Sequence, residues 1–205
     1  MLHTIDAAPA PLRHPVLRPM FAARKRVFVD LLRWKVPVVA GRFELDQFDG
    51  PGATYLVLAS EGGGHVGSAR LLPTTRPHLL GDLFPALCDD PPPRGPDVRE
   101  ITRFCLDRSL DAAGRLSARD TLVTALATYA AQHAITRYTA VAEPGWVDRI
   151  ASFGWATHRL GPVRRVDGEA LCAVAIDITV DTSALLRAAG VHPDARLLAS
   201  PRRAA

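Results

Sequence analysis

The stretch Gly67–Leu87, GSARLLPTTRPHLLGDLFPAL, decides the fold, together with Glu100-Ile-Thr-Arg-Phe104 downstream. Arg70 stands on an apolar run, Ser68–Leu72, that ends at Pro73-Thr74-Thr75. Glu100 and Arg103 sit on a second apolar run. Charges inside apolar strands are costly unless paired or used. Three of them so close in sequence predict a polar site set into a core.

The neighbouring segments extend the pattern. Ala53–Ser60 reads as a central strand, apolar on both faces. Glu61–Gly64 is a hairpin turn, and Val66–Leu72 returns as its partner. Leu79–Leu87 reads as a short helical turn that buries Leu83 and Phe84. Val98–Leu106 is the next strand. Strict alternation puts Glu100 and Arg103 on opposite faces, unless a bulge re-aims one of them.

Toward the N-terminus, Leu2–Ile5 is a candidate strand. From Leu17 the spacing of Met20, Phe21, Val27, Phe28 and Leu31 predicts a helix. Arg24 and Phe28 are four apart and share a face. The helix should fail near Trp34–Pro37. A loop bracketed by Gly41 and Gly50-Pro51-Gly52 then carries Glu44, Asp46 and Asp49. Three carboxylates in such a loop read first as a solvated surface, and no histidine accompanies them at metal-ligand spacing.

Toward the C-terminus, Ser117 with Asp120 reads as a capping box opening a helix through Ala134. Tyr138–Ala142 is a strand and Pro144–Ser152 a helix that Gly154 ends. Trp155–Leu160 and Leu171–Val180 are strands around a Gly168 turn, and Asp181–Ala189 is a short helix. The whole predicts an α/β (α+β) fold. One domain, 1–205, has a mixed central sheet with helices on both faces, a three-layer sandwich. Residues 1–15 and 190–205 are expected to be loose ends.

Bulk properties bound the function. A chain of 205 residues, 48% apolar and 22% charged, suits a globular protein with a full core. No apolar run spans a bilayer and no signal peptide is legible, so a cytoplasmic protein without membrane contact is expected. Cys88, Cys105 and Cys172 lack metal or redox spacing, which fits a reducing compartment. The net charge of +4 comes with far more Arg than Lys. It suits an acidic carrier or a phosphorylated ligand as well as a mere genomic bias. No helix-turn-helix or basic stripe with aromatics points to nucleic acid.

The residues quoted above also resemble a family. R-L-L-P-T-T, then L-x-D-x-F-P, then E-x-x-R-F are similar to motifs of the acyl-homoserine-lactone synthases, the LuxI-type autoinducer synthases. Arg24, Phe28 and Trp34 agree in spacing, and Glu44-Leu-Asp46-Gln-Phe-Asp49 resembles the family's E-x-D-x-[YF]-D. The ordered match covers Arg24 to Phe104. Toward the C-terminus only Gly154-Trp155 and Arg159-Leu160-Gly161 are loosely similar.

The resemblance implies a fold like the GNAT-type N-acyltransferases, and a quorum-sensing signal made from S-adenosylmethionine and an acyl thioester. It implies Glu100 as base, with a pKa raised by partial burial, and Arg103 as the positioning and charge-stabilising group. It places Arg24, Phe28, Trp34, Asp46, Asp49 and Arg70 around S-adenosylmethionine, where carboxylates and aromatics attract a sulfonium. Backbone N–H groups near Phe104 and Cys105 are candidates for an oxyanion site, and Thr139 and Ala140 for the acyl chain. The acyl tunnel is expected beneath the Ser117–Ala134 helix. Partners are S-adenosylmethionine and either acyl carrier protein or acyl-coenzyme A, acting on a monomer. No metal and no separate cofactor are expected, because S-adenosylmethionine is itself a substrate. The usual Gly-rich pyrophosphate loop is reduced to Leu110–Arg115 with a single glycine. Two other readings remain open: another GNAT-type N-acyltransferase, or a non-catalytic sensor of S-adenosylmethionine or an acyl thioester.

Overall fold

The computed structural model describes residues 1–6 and 10–199. The chain groups into two compact units. The first holds 1–71, 103–125 and 193–205; the second holds 72–102 and 126–192. Three elements run through both: β5 (His65–Pro73), β6 (Val98–Leu106) and α2 (Ala112–Gln132).

In the first unit, β1 (Leu2–Asp6) pairs antiparallel with β4 (Thr54–Ala59), and β4 pairs antiparallel with β5. The C-terminal part of β6 follows β5 in the sheet order. Every residue of β4 is buried, as its unbroken apolar run requires. α1 (Leu17–Arg24) buries Leu17, Met20, Phe21 and Ala23. Phe21 meets the Tyr55 ring edge-on at 5.9 Å. The helix continues through Lys25–Leu31 with wider, π-type turns.

In the second unit the N-terminal part of β6 pairs parallel with β7 (Arg137–Ala142). A parallel pair needs a crossover, and the 21-residue α2 supplies it. β10 (Glu169–Asp177) pairs antiparallel with β7, β8 (Ala156–Arg159) and β9 (Arg164–Val166). α3 (Pro144–Ala151) packs Val147 with Ala140, Cys172 and Val174. Gly154 follows it at φ +90°. A side chain there would meet the Leu185 carbonyl oxygen at 2.8 Å, near α4 (Thr182–Ala188), so both conformation and space demand glycine.

The expected mixed α/β architecture, a mixed sheet flanked by helices, is thus found. Several expectations need correction. The chain ends are not loose where described. Leu2–Asp6 is a paired strand, Pro11–Arg13 is a helical turn, and Val191 is buried. α5 (Ala195–Leu198) is capped by Asp194, whose side chain accepts from Arg196 N. The loose ends expected at 7–9 and 200–205 lie outside the described residues.

Ser117 caps nothing, since α2 begins at Ala112. Asp111 does the capping: its Oδ1 accepts from Gly114 N at 2.8 Å, while Asp120 is buried and ion-paired to Arg119. The start of the acidic loop forms a short ladder with the segment before it, β2 (Val38–Val39) against β3 (Phe43–Glu44). Leu83 is half exposed, whereas Phe84 packs against a core of Leu80, Leu87 and Ala173.

Candidate active site

Three arginines and three carboxylates form one network in the first unit. Arg24 Nε donates to Glu44 Oε2 at 2.5 Å, and its two terminal nitrogens donate to Asp49 at 2.8 Å each. Arg70 grips Asp46 in the same forked way, at 2.6 and 3.0 Å, and approaches Asp49 Oδ1 at 2.8 Å. Arg103 donates to Glu44 Oε1 at 3.0 Å and to Asp46 Oδ2 at 2.8 Å. Forked guanidinium–carboxylate pairs fix geometry as well as charge.

Five of the six side chains are no more than 5% exposed, and Arg103 is 7% exposed. Burial of this depth is tolerable because the formal charges cancel. The solvated-surface reading of the acidic loop is therefore corrected. Carboxylate oxygens of Glu44, Asp46 and Asp49 lie within 4.8 Å of one another. Guanidinium groups hold all three, so the cluster reads as one side of an ion-pair network.

The network also governs protonation. Burial opposes charging of Arg24, but Asp49 and Glu44 outweigh it and hold its pKa above the ordinary value. Burial likewise opposes charging of Asp49. Arg24 and Arg70 outweigh it and keep that carboxyl well below the usual range. Asp49 Oδ1 also accepts from the Tyr55 hydroxyl at 3.0 Å, and Asp49 Oδ2 from Asp46 N at 2.9 Å.

Aromatic rings close one side. Phe28 and Trp34 stack at 4.7 Å, with 16° between planes. The Arg103 guanidinium carbon lies 5.6 Å from the Phe28 ring centre and 5.7 Å from that of Trp34. Phe28 is buried, but Trp34 is 39% exposed, so an aromatic face next to the charges meets solvent. Arg103 has φ +52°, which takes one residue out of the pleat of β6. Strict alternation therefore does not hold along this strand.

All six residues expected around S-adenosylmethionine thus come together with Arg103 in one unit. Glu44 was legible in the acidic loop but not assigned to that set, and it bridges Arg24 and Arg103. Tyr55 lies in the Ala53–Ser60 strand, which the sequence marks only as central. Its signal was a hydroxyl inside a fully buried strand, which must find a partner.

Phe104 and Cys105 also belong to the first unit. Cys105 is buried, and burial pushes its thiol up to about 12. That fits a small core residue and not a nucleophile. Glu100, Thr139 and Ala140 belong to the second unit. The Glu100 side chain is fully buried rather than partly so. Its oxygens accept from Leu79 N at 2.8 Å and Leu80 N at 2.9 Å. Thr139 stands opposite Glu100 in the parallel register, and its buried hydroxyl has no hydrogen-bond partner.

Known proteins share both the sequence and the shape. A family model described as autoinducer synthase matches residues 11–184. An acyl-homoserine-lactone synthase of Ralstonia solanacearum is 38% identical over 188 residues, covering 89% of this chain and 86% of the relative. One from Acinetobacter nosocomialis is 33% identical over 165 residues, covering 76% and 88%. Among solved structures, the CoA-dependent acyl-homoserine lactone synthase MesI has a TM-score of 0.81 at 28% identity, covering 94% of this chain and 96% of that one. A second, BjaI with SAM and isopentyl-CoA, has a TM-score of 0.80 at 28% identity, covering 98% and 94%. A putative N-acetyltransferase from Lactobacillus plantarum shares the fold alone, at 18% identity and a TM-score of 0.59. The match spans the Arg24–Glu44–Asp46–Asp49–Arg70–Arg103 network from end to end, and on it the chain belongs to the autoinducer synthase family.

Proposed function

We propose that the protein is an acyl-homoserine-lactone synthase that works as one domain. It joins S-adenosylmethionine to an acyl thioester of coenzyme A or of acyl carrier protein. The α-amine attacks the thioester carbonyl; the C–N bond forms, the C–S bond breaks, and the carrier leaves as its thiol. The substrate carboxylate then attacks its own γ-carbon, and methylthioadenosine departs with the sulfonium electron pair.

The observation that carries this reading is the buried, charge-balanced network beside the half-exposed Trp34. Trp34 and Phe28 offer π faces to a sulfonium. Arg103 is the group nearest both the aromatics and the acids, and it suits the substrate carboxylate or the acyl carbonyl. Arg24 and Arg70 act as positioning residues through Asp49 and Asp46. Glu100 is the proposed base, directly or through a water, from a buried position where its oxygens accept from Leu79 N and Leu80 N. Thr139 and Ala140 are proposed to touch the acyl chain, and the N–H groups near Phe104 and Cys105 to receive the developing oxyanion. The proposed setting is the cytoplasm, with the protein as a monomer. Among the described residues no helix is long and apolar enough to cross a membrane.

Mass spectrometry of reactions with S-adenosylmethionine and a panel of acyl-coenzyme A and acyl-carrier-protein donors tests the proposal. A lactone appearing with methylthioadenosine supports it and names the donor. An amide without lactone would show a general N-acyltransferase instead. Bound S-adenosylmethionine with no product from any donor would favour a sensor.

A further inference from the structure

The two amides that hold Glu100 open the short helical segment Leu79–Leu83. Amides at a helix start have no partner within the helix. An acceptor on the residue just before the helix usually meets one of them. Here that residue is His78, in extended backbone at φ −150°, and its side chain makes no such bond. Glu100, on β6, takes both amides instead, at 2.8 and 2.9 Å.

The His78 ring is committed elsewhere. Its side chain is 0% exposed, and its Nδ1 lies 2.9 Å from the Arg76 carbonyl oxygen. A carbonyl oxygen only accepts, so Nδ1 carries a proton and donates it. Asp82 Oδ2 stands 3.9 Å from Nδ1, beyond hydrogen-bond reach; it accepts instead from the His78 backbone N–H at 2.7 Å. Nε2 is buried and has no hydrogen-bond partner among the described residues.

Gly81 gives the ring its room. A side chain there would meet ring Cε1 at 2.5 Å and Nε2 at 2.8 Å. The turn is thus locked three ways: ring donor on Arg76, ring edge on Gly81, and Asp82 on the His78 N–H. His78, Gly81, Asp82 and Glu100 all belong to the second unit. An apolar side chain at a site of no exposure would leave no nitrogen unmet. The Nδ1 donor is what such a replacement would lose. A general base must stay within reach of the proton it takes, so a device that fixes the carboxylate bears on turnover.

We propose that His78 is a positioning residue for Glu100. Its ring fixes the Arg76–Asp82 turn. With its one donor on Arg76 and no acceptor turned to the helix start, it leaves the Leu79 and Leu80 amides to the carboxylate. The hold on Glu100 stands by itself; only its effect on turnover rests on the reading of Glu100 as base.

Amide hydrogen exchange by NMR on the full chain, with steady-state kinetics, tests the proposal. In His78→Leu the Leu79 and Leu80 amides should exchange about tenfold or more faster, while those of β4 keep the parent rates and report an intact fold. The kcat should fall about tenfold or more, with the KM for S-adenosylmethionine held within about twofold. In the Glu100→Gln background the same change should lower kcat by less than about twofold, because both residues act through one group. Gly81→Ala crowds the ring and keeps every polar group of the turn, so it takes the place of His78→Leu if that variant does not fold. Parent exchange rates at Leu79 and Leu80 would overturn the proposal, and so would a full further loss of kcat in the Glu100→Gln background. Faster exchange with parent turnover would support the hold on Glu100 and overturn Glu100 as the base.

Discussion

The Tyr55 hydroxyl donates to Asp49 Oδ1 at 3.0 Å, from a strand in which every residue is buried. That bond ties the acidic loop to the sheet core. Burial, then the Asp49 charge, pushes the Tyr55 pKa up, so the phenol stays a donor. Tyr55→Phe keeps the ring against Phe21 but removes the donor. A hydrogen bond to a charged group is worth about 1.5–3 kcal/mol, and that loss is expected in urea unfolding. Unchanged stability would show that the two arginines alone hold Asp49.

Asp49 predicts the acid response. Its folded pKa is depressed, so its stabilising contribution is fully present above the unfolded carboxylate pKa, about 3.9, and is lost as pH falls below it through the folded value. Asp49→Asn should be less stable than the parent at pH 7, and its stability should fall less steeply below about pH 4. Parallel stability–pH curves would remove Asp49 as a source of that dependence.

Arg24 tests the pairing itself. Arg24→Ala leaves Glu44 and Asp49 with a missing partner inside the core. Breaking a buried pair this way costs about 3–5 kcal/mol. Arg24→Lys keeps the charge but not the fork, and should raise the KM for S-adenosylmethionine more than it lowers kcat. Equal effects on both constants would contradict a purely positioning role.

Glu100 separates chemistry from scaffolding. Glu100→Gln keeps an oxygen for one of the two backbone N–H groups, whereas Glu100→Ala abandons both. Glu100→Gln should stay folded by circular dichroism and lose about 100-fold or more in kcat. A Gln variant with near-parent turnover would reassign the base.

Trp34→Ala removes a half-exposed ring, so the fold should hold while the KM for S-adenosylmethionine rises. Cys105→Ala should keep most turnover, and the Cys105 thiol of the folded parent should resist iodoacetamide at pH 8, since burial holds it protonated. Rapid inactivation traced to Cys105 by peptide mapping would reopen a nucleophile role.

Much of this was legible in the sequence. Apolar patterning located β4, β5, β6 and α3 to within about two residues, and the start of α1 at Leu17, because burial dictates that patterning. The ordered motifs named the charged residues of the site. What sequence could not supply was which charge meets which. Arg70 takes Asp46 and Asp49 together, and Arg103 takes Glu44 and Asp46 across 59 and 57 positions of chain.

Local signals also misled where tertiary contacts competed. Ser117 resembled a helix cap, yet Asp111 starts the helix one and a half turns earlier. The acidic loop resembled a solvated surface, yet three guanidinium groups bury it. Sequence periodicity thus determined the elements and the chemical inventory, because propensity and face burial are local. Only the tertiary structure decided the pairing and the burial of Glu100. Those depend on strands and loops far apart in the chain converging within hydrogen-bond distance.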